Sequence, residues 1–501
     1  MAQSYLIGVD TGGTYTDAAV IEAAGHKVIA SAKALTTKGD LAIGVSEAIT
    51  KAIAALPRGL APGDISLVSV STTLATNAVV EGHGSPVGVI LIGFDQQMAE
   101  RTGIAKAFPG MPVALIDGGH DHNGDERAKL DQARLADIIR EFDPKVDAFA
   151  VAASFAVRNP AHEVLAREII TAKTGKPVTI SSELSSALDA PRRALTAALN
   201  ARLISRISRL IEAVGRAMKQ LGIACPLMIV KGDGTLALAE TVALRPIETV
   251  MSGPAASLVG ARWLSGLDSF IMSDMGGTTT DLGIVVDGRL QIADEGAEIG
   301  GWRTMVKAAD VRTVGLGGDS EVHIGMNGAI TVGPGRIVPL SLLGSRFPEM
   351  LDLLGADLAD NEGGSLHGKF VLRPFGSGTR EDSAELSARE REIMEVVGDR
   401  PIAIRKVALS SGAQRSLNGL RRKGLVQLCG FTPSDAAHVL GLQDNWSAEA
   451  ALLGAQLCAR FRDMKAPSIE RGRAFAQDIW NETVRLSARA VVESALGSVC
   501  T

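Results

Sequence analysis

The sequence predicts an α/β fold whose organising unit is used twice, and three observations carry that prediction. First, Val87–Ile92 and Val146–Phe155 are near-continuous apolar runs, the pattern of strands covered on both faces of a parallel sheet. Second, such runs alternate with stretches of helical period, among them Leu130–Phe142 and Ala161–Thr174, the latter closed by Gly175. Third, the signature Asp-x-Gly-Gly-Thr-x-Thr-Asp occurs at Asp10–Asp17 and again, about 260 residues further on, at Asp274–Asp281. Each copy is entered by an apolar run (Tyr5–Val9; Phe270–Met272) and left by another (Ala18–Ile21; Leu282–Val286), which reads as strand, glycine turn, strand.

The signature carries its own chemistry. The adjacent glycines Gly12–Gly13 and Gly276–Gly277 leave no side chain between the turn's amide N–H groups and a ligand, and such a turn directs several donors at one anion. Thr11 and Thr14 in the first copy, and Thr278 and Thr279 in the second, add hydroxyl donors. Asp10 and Asp274, at the strand ends, suit a magnesium ion held through its water shell, and Asp17 and Asp281 recur as second aspartates. One copy alone reads as a hairpin turn. Two copies with matched threonines and aspartates point to nucleotide phosphate, with Asp10 and Asp274 as the catalytic groups. The expected geometry is two related domains, each offering a glycine hairpin to the cleft between them.

A third strand is expected near Lys27–Lys33 and a helix over Gly44–Leu56, with Ile43, Ile49 and Ile53 on one face. Val68–Ser71 is a short strand that delivers Ser71-Thr72-Thr73, hydroxyls that either cap the next helix or face a ligand. Gly118–Glu126 sets His120 and His122 around Asp121. Imidazole and carboxylate groups there suit a second, transition-metal site, or else form a polar surface turn. Glu183, Asp189, Arg192 and Arg193 precede a long helix over Ala194–Leu221; an arginine there meets a carboxylate or phosphate ligand, or a helix-end salt bridge. Met228–Gly234 reads as strand and tight turn, and Ser252-Gly253-Pro254 opens a helix over Ala255–Leu264 whose amino end favours phosphate. Val314–Ser320 fails the dinucleotide fingerprint because Ser320 stands where its last glycine belongs, and Gly363–Lys369 fails the phosphate-loop pattern at Phe370. Further on, helices at Leu386–Val397, Ile402–Leu409 and Gln414–Lys423 with a strand at Leu425–Leu428 make a winged-helix-like unit, followed by a helical tail from Phe431 to Leu496.

Taken with Ser71–Asn77, Arg193–Thr196, Ser252–Ala256 and Val314–Ser320, in that order and spacing, the two signatures resemble the hydantoinase/oxoprolinase family, A-subunit type, over about residues 4–340. By themselves they resemble the wider actin-like ATPase and sugar-kinase superfamily. The resemblance implies a duplicated actin-like ATPase fold around a nucleotide cleft, with ATP and Mg2+ as cofactors. It implies a small cyclic amide as substrate, a hydantoin or 5-oxoproline type, opened after phosphorylation of its amide oxygen, and a B-type subunit as partner. It sets Thr72, Thr73, Asn77 and Arg193 by the substrate and Gly317 and Gly318 with the nucleotide. Family relatives that activate ketones make a carboxylase component the alternative. A regulatory protein gated by ATP, acting through the winged-helix-like segment, is the non-enzymatic one. A subunits are longer than this chain, so a short form is expected. The expected domains are 1–190 with the first hairpin, 191–340 with the second, 341–430 as the winged-helix-like insertion and 431–501 as a helical tail.

Composition sets the remaining limits. With 501 residues, 46% apolar and 21% charged, the chain is an ordinary globular one of several domains. A net charge of -5, and the offset of Arg415, Arg421, Arg422 and Lys423 by Glu390, Glu392 and Glu395, make nucleic acid an unexpected partner. Neither a signal segment nor a membrane-spanning apolar run is read, so a cytoplasmic location is expected. Cys225, Cys429, Cys458 and Cys500 are scattered, as reduced thiols rather than a disulfide frame.

Overall fold

The computed structural model describes residues 4–12, 15–25, 27–36, 41–56, 61–80, 84–325, 327–360, 364–375 and 386–499. Gly13 and Thr14 of the first signature lie outside the described residues, as does Gly363. The chain forms two compact units, one of Met1–Phe270 with Gly283–Val311 and the other of Ile271–Leu282 with Arg312–Thr501.

Ten strands come first: β1 (Tyr5–Thr11), β2 (Tyr15–Glu22), β3 (Lys27–Leu35), β4 (Ile65–Thr72), β5 (Val87–Ile92), β6 (Val113–Ile116), β7 (Ala148–Ala153), β8 (Val178–Ile180), β9 (Leu227–Val230) and β10 (Leu236–Leu238). Six of them make one mixed sheet in the order β10-β9-β4-β1-β2-β3. The hairpin strands β1 and β2 are antiparallel, with Asp10 opposite Asp17, and β4 runs parallel to β1 with Ser71 beside Asp10. Alternation decides the faces of β1. Tyr5, Ile7, Val9 and Thr11 are buried, whereas Asp10 between the last two is exposed.

The other four strands form a parallel sheet in the order β6-β5-β7-β8. Every residue of β5 and of β7 is buried, as continuous apolar runs require when helices cover both faces. The helix Gln132–Phe142 and the helix Ala161–Thr174 supply one of these cores, through Leu135, Ile138, Ile139, Ala166 and Ile170.

The 31-residue helix Ala190–Gln220 lies wholly within the first unit. Its early residues, Ala194 to Leu203, pack with β5 and β7, and its later ones, Ile207 to Met218, pack with β1 and β4. One rod thus completes two cores. The division expected at residue 190 therefore falls inside the first unit, since cutting there would expose both cores.

After β10 come β11 (Phe270–Met275) and β12 (Thr280–Val286), the second hairpin, then β13 (Arg289–Leu290), β14 (Glu298–Ile299), β15 (Trp302–Arg303) and β16 (Val311–Val314), which pairs with β12. The second unit continues with the antiparallel pair β17 (Ser320–Ile324) and β18 (Ile330–Arg336). Its other sheet joins β19 (Val338–Pro339), β20 (Phe370–Leu372), β21 (Ile402–Ala403) and β22 (Gln427–Gly430) in the order β19-β22-β20-β21.

Within the segment expected to resemble a winged helix, the helices Ala388–Val396, Ile404–Val407 and Ser411–Arg422 share a core through Ile393, Ile404, Leu417 and Leu420. Its basic side chains are engaged inside the unit: Lys423 lies 2.9 Å from Glu390 and Arg421 lies 3.3 Å from Glu321. The tail helix Ile469–Val499 buries Phe475 and Ile479 against the helix Ala448–Asp463 and its neighbours. Among the described residues no helix is long and apolar enough to cross a membrane.

Candidate functional site

In the first hairpin, the turn closes by the Gly12 N–H donating to the Tyr15 carbonyl at 3.0 Å. Thr36 donates its hydroxyl to the Gly12 carbonyl at 2.9 Å and its Oγ1 lies 3.0 Å from the hydroxyl of Thr16, which fastens the turn from below. Asp10 is exposed at the end of β1, and the Ser71 hydroxyl donates to its Oδ1 at 2.6 Å. Asp17 sits opposite, with the Lys33 ammonium 3.2 Å from its carboxylate and 5.0 Å from the Tyr15 ring centroid. The Thr11 hydroxyl is buried on the face it shares with Ile7 and Val9, and among the described residues it has no hydrogen-bond partner.

A cleft of about 590 Å³ opens beside Asp10 on the polar face of this sheet. Its floor is small, with Gly8, Ala19, Ala32 and Ala256, and its polar groups include Asp10, Asp17, Lys33 and Ser71.

The segment after β4 is tied down by its hydroxyls. Thr72 is fully buried; its Oγ1 accepts the Leu74 N–H at 3.0 Å, and its own N–H and carbonyl both meet the Ser252 hydroxyl, at 3.2 and 2.9 Å. Thr73 donates its N–H to the Thr11 carbonyl at 3.2 Å. Thr72 is thus a fastening between the end of β4 and the helix Ser252–Ser265, not a group turned to substrate. The side chain of Asn77 lies outside what is described.

Arg193 differs from expectation in the same way. It is 1% exposed, and its guanidinium donates to the carbonyls of Ala187 and Ala153 at 3.0 and 3.3 Å and to the Ser181 hydroxyl at 3.4 Å. Burial pulls its pKa below the usual guanidinium value, and the neighbouring Glu163 opposes that shift. The pair is structural, with Glu163 also buried and accepting from Ala153 N–H, Ser181 and Ser182. One residue earlier, Arg192 is the arginine that reaches the surface of this helix end, beside Asp189 and Trp302 in a cavity of about 240 Å³.

The histidine-rich loop does not form a metal site. The His120 ring is buried and lies 4.5 Å from the ring of His162, while Asp121 Oδ1 accepts the N–H groups of Asn123, Gly124 and Asp125 at 2.8, 3.1 and 3.1 Å. His122 is exposed. Desolvation and the His162 ring lower the His120 pKa. The three groups point into different surroundings, and among the described residues no set of three His, Cys, Asp or Glu side chains is gathered to hold a metal ion.

The second hairpin repeats the turn of the first: Gly276 N–H donates to the Thr279 carbonyl at 2.9 Å, the same spacing as Gly12 and Tyr15. Residues Ser273 to Thr278 are exposed, Asp274 included. Thr280, the counterpart of Thr16, donates to the Leu316 carbonyl at 2.6 Å, and Asp281 accepts from the Thr313 hydroxyl at 2.7 Å. Burial pushes the Asp281 carboxyl above the usual range, and the charge of Asp274 adds to the rise.

Gly317 and Gly318 back this turn directly. Gly318 N–H donates to the Gly276 carbonyl at 3.0 Å and Asp319 N–H to the Gly277 carbonyl at 2.7 Å. The backbones approach so closely that a Cβ on Gly317 would fall 2.5 Å from the Gly277 oxygen. Asp319 was not singled out from sequence, nor was Ser434, whose N–H donates to the Gly318 carbonyl at 2.8 Å. Burial raises the Asp319 carboxyl, with Arg336 at 3.3 Å opposing.

Comparison with known proteins agrees with the motifs. The model of the hydantoinase/oxoprolinase N-terminal region matches residues 6–174 and that of hydantoinase/oxoprolinase matches residues 193–338. The chain is 28% identical to the caprolactamase subunit alpha of Pseudomonas jessenii over 354 residues, 66% of this chain and 50% of that one. It is 29% identical to the acetophenone carboxylase gamma subunit of Aromatoleum aromaticum over 364 residues, 66% of this chain and 49% of that one. It therefore spans about half the length of the curated relatives it matches.

Among solved structures, an ATP-dependent acetone carboxylase in its nucleotide-free form aligns with a TM-score of 0.64 at 17% identity, over 98% of this chain and 63% of that one. The ATP-dependent caprolactamase of Pseudomonas jessenii aligns at 0.62 and 23%, over 97% and 63%. At those identities the likeness establishes the shared α/β fold.

Proposed function

Because the chain belongs to the hydantoinase/oxoprolinase family, we propose that it uses ATP to activate the carbonyl of a small cyclic amide for ring opening. The observation that carries this reading is the repeated turn, closed alike by Gly12–Tyr15 and Gly276–Thr279, with Asp10 and Asp274 exposed at the strand ends. The exposed turn of the second hairpin offers backbone amides to phosphate, and Gly317 and Gly318 hold it in shape. Phosphoryl transfer asks a protein mainly for positioning and charge neutralisation, which is what such loops supply.

An exposed carboxylate at the end of a strand fits a magnesium ion that keeps its waters, so Asp10 in the first hairpin, or Asp274 in the second, would hold one; the ion would offset phosphate charge. In the reaction itself the amide oxygen attacks the γ-phosphorus and ADP leaves, giving an O-phosphorylated imidate. Water then adds to the carbon, the ring C–N bond breaks with nitrogen leaving as the amine, and a second water releases phosphate. The relatives named as subunits support a B-type partner for the hydrolytic half. A carboxylase component is the second reading, favoured by the likeness to the acetophenone carboxylase subunit.

The test is calorimetric titration of ATP with magnesium into the wild type, Asp10→Ala and Asp274→Ala, with phosphate release followed in parallel. Binding with slow release that both substitutions abolish supports the reading. A well-folded wild type that binds no ATP refutes it. Phosphate release stimulated by bicarbonate and a ketone, but by no cyclic amide, selects the carboxylase.

A further inference from the structure

The cavity at the amino end of the helix Ala190–Gln220 lies outside the function proposed above. It measures about 240 Å³, below the range of drug-sized sites and suited to a small molecule, and it belongs wholly to the first unit. It shares no lining residue with the cleft beside Asp10. The hairpin sheet meets this helix only from Ile207 onward, about 22 Å along the axis from Arg192 at about 1.5 Å per residue.

The cavity is built from three segments that the sequence does not join. Trp302 lines it and comes close to Gly103, where the backbone has a φ of +69° and an added Cβ would fall 2.6 Å from the indole ring. Asp189 caps the helix by accepting the Arg192 N–H at 3.2 Å, and it does so at a φ of +79°. A residue other than glycine keeps that conformation only where its surroundings fix it.

Three arginines line the cavity, and their commitments differ. Arg303 is answered by Glu295 at 2.5 Å and Glu298 at 3.0 Å. Arg192 spends its Nε on the Met305 sulfur at 2.8 Å, with the Asp189 carboxylate at 3.7 Å, and among the described residues its two Nη groups have no hydrogen-bond partner. Arg101 is exposed and has no carboxylate partner among the described residues. Arg101 and Arg192 therefore face Asp189, two guanidinium groups against one carboxylate, a net charge of +1. Such a balance suits a monoanion better than a phosphate dianion. A guanidinium fork matches the plane of a carboxylate, and an indole covers a flat or apolar skeleton.

We propose that this cavity is a second ligand site of the chain, one for a small monocarboxylate held by Arg101 and Arg192 with its skeleton against Trp302.

The test is calorimetric titration of benzoate into the full chain, without nucleotide or magnesium. Benzamide, which keeps the ring and loses the charge, and inorganic phosphate, which keeps charge and lacks the skeleton, are titrated beside it. Benzoate is expected to saturate one site, with both controls about tenfold weaker or more. Arg192→Gln and Arg101→Gln should each weaken benzoate about tenfold or more with the circular dichroism unchanged, since each removes a charged donor. Asp10→Ala should bind benzoate as wild type does. If Arg192→Gln disturbs the helix end, the exposed Arg101 still decides the matter. No saturable binding of benzoate, phosphate or benzamide bound as tightly, a folded Arg101→Gln that binds like wild type, or loss of binding in Asp10→Ala would overturn the proposal.

Discussion

The β1–β2 hairpin and the β11–β12 hairpin share one signature and one turn closure, yet they keep their acidic groups differently. In the first, Asp17 faces an ammonium, Lys33, on the neighbouring strand, and Asp10 receives a hydroxyl from Ser71. In the second, Asp281 accepts the hydroxyl of Thr313, and burial with the charge of Asp274 raises its pKa. Asp319, pressed against the same turn, is raised by burial as well. The first hairpin therefore sets an ammonium against Asp17, whereas the second buries its own second aspartate, Asp281, beside the charge of Asp274. The difference teaches that the duplicated wording fixes the backbone of the turn, while the strands around it decide how that turn is charged.

The largest test of the comparison is direct. Asp10→Ala and Asp274→Ala should each remove about 3–5 kcal/mol of transition-state stabilisation, by analogy with loss of a key electrostatic group. A much smaller loss for one of them would show that the two copies have diverged in role, read as phosphate release under saturating ATP. Next come the backbones. Gly317→Ala sets a Cβ 2.5 Å from the Gly277 carbonyl oxygen and Gly12→Ala sets one 2.9 Å from the Tyr15 oxygen. Each is expected to cost about 1–3 kcal/mol as overpacking, with Gly317→Ala the more severe, measured by denaturant midpoints.

Ser71→Ala leaves Asp10 without its 2.6 Å donor. A hydrogen bond to a charged group is worth about 1.5–3 kcal/mol, so kcat should fall about tenfold or more while KM for ATP changes little. Ser71→Thr, which keeps the hydroxyl, should recover most of it. An equal fall in both variants would mean that Ser71 matters for packing and not for Asp10.

Asp281 supplies the pH test. Its folded pKa is raised, so its contribution to stability is full below the ordinary carboxylate range and is lost as pH rises through the raised value. Asp281→Asn lacks that dependence. The melting temperature of Asp281→Asn relative to wild type should therefore climb as pH is raised from about 4 to about 7.5. A flat difference would place Asp281 among ordinary carboxylates and erase the contrast with the first hairpin.

These residues also show what the sequence could and could not reveal. The turn was legible because its determinants are contiguous: two glycines, flanking threonines and an aspartate at fixed spacing, in both copies. The α/β class was legible from β5 and β7, whose apolar runs are long enough to demand cover on both faces. Ser71 was visible only as part of a hydroxyl cluster, because its bond to Asp10 depends on a parallel register between strands 61 residues apart. At Arg193 the sequence leaves a ligand contact and a helix-end salt bridge both open, because helical phase at an amino end is set by where the long helix docks; Arg192 emerges and Arg193 turns inward. At His120 it leaves a metal ligand and a polar surface turn both open, and burial beside the His162 ring is fixed only by the tertiary fold. The expected domain boundary failed for a related reason, since the helix Ala190–Gln220 serves two cores that no local pattern joins.

The smallest effect belongs to Lys33, and it sharpens the comparison most cheaply. Its side chain is 59% exposed and that of Asp17 is 48% exposed, so their 3.2 Å ion pair lies in water and salt screens it. Such pairs contribute about 0.2–1 kcal/mol, and Lys33→Ala should lower stability by no more than that, with the loss disappearing as ionic strength rises. Its consequence for charge is larger than its consequence for stability, because it removes the ammonium that faces Asp17 from a turn that also carries Asp10. Magnesium dependence of ATP turnover reads that change. If the ammonium beside Asp17 is what distinguishes the two hairpins, Lys33→Ala should reach half-maximal turnover at lower magnesium at low salt and match wild type at high salt. An unchanged magnesium requirement at both would locate the distinction elsewhere, in Asp319 and the glycine loop behind the second turn.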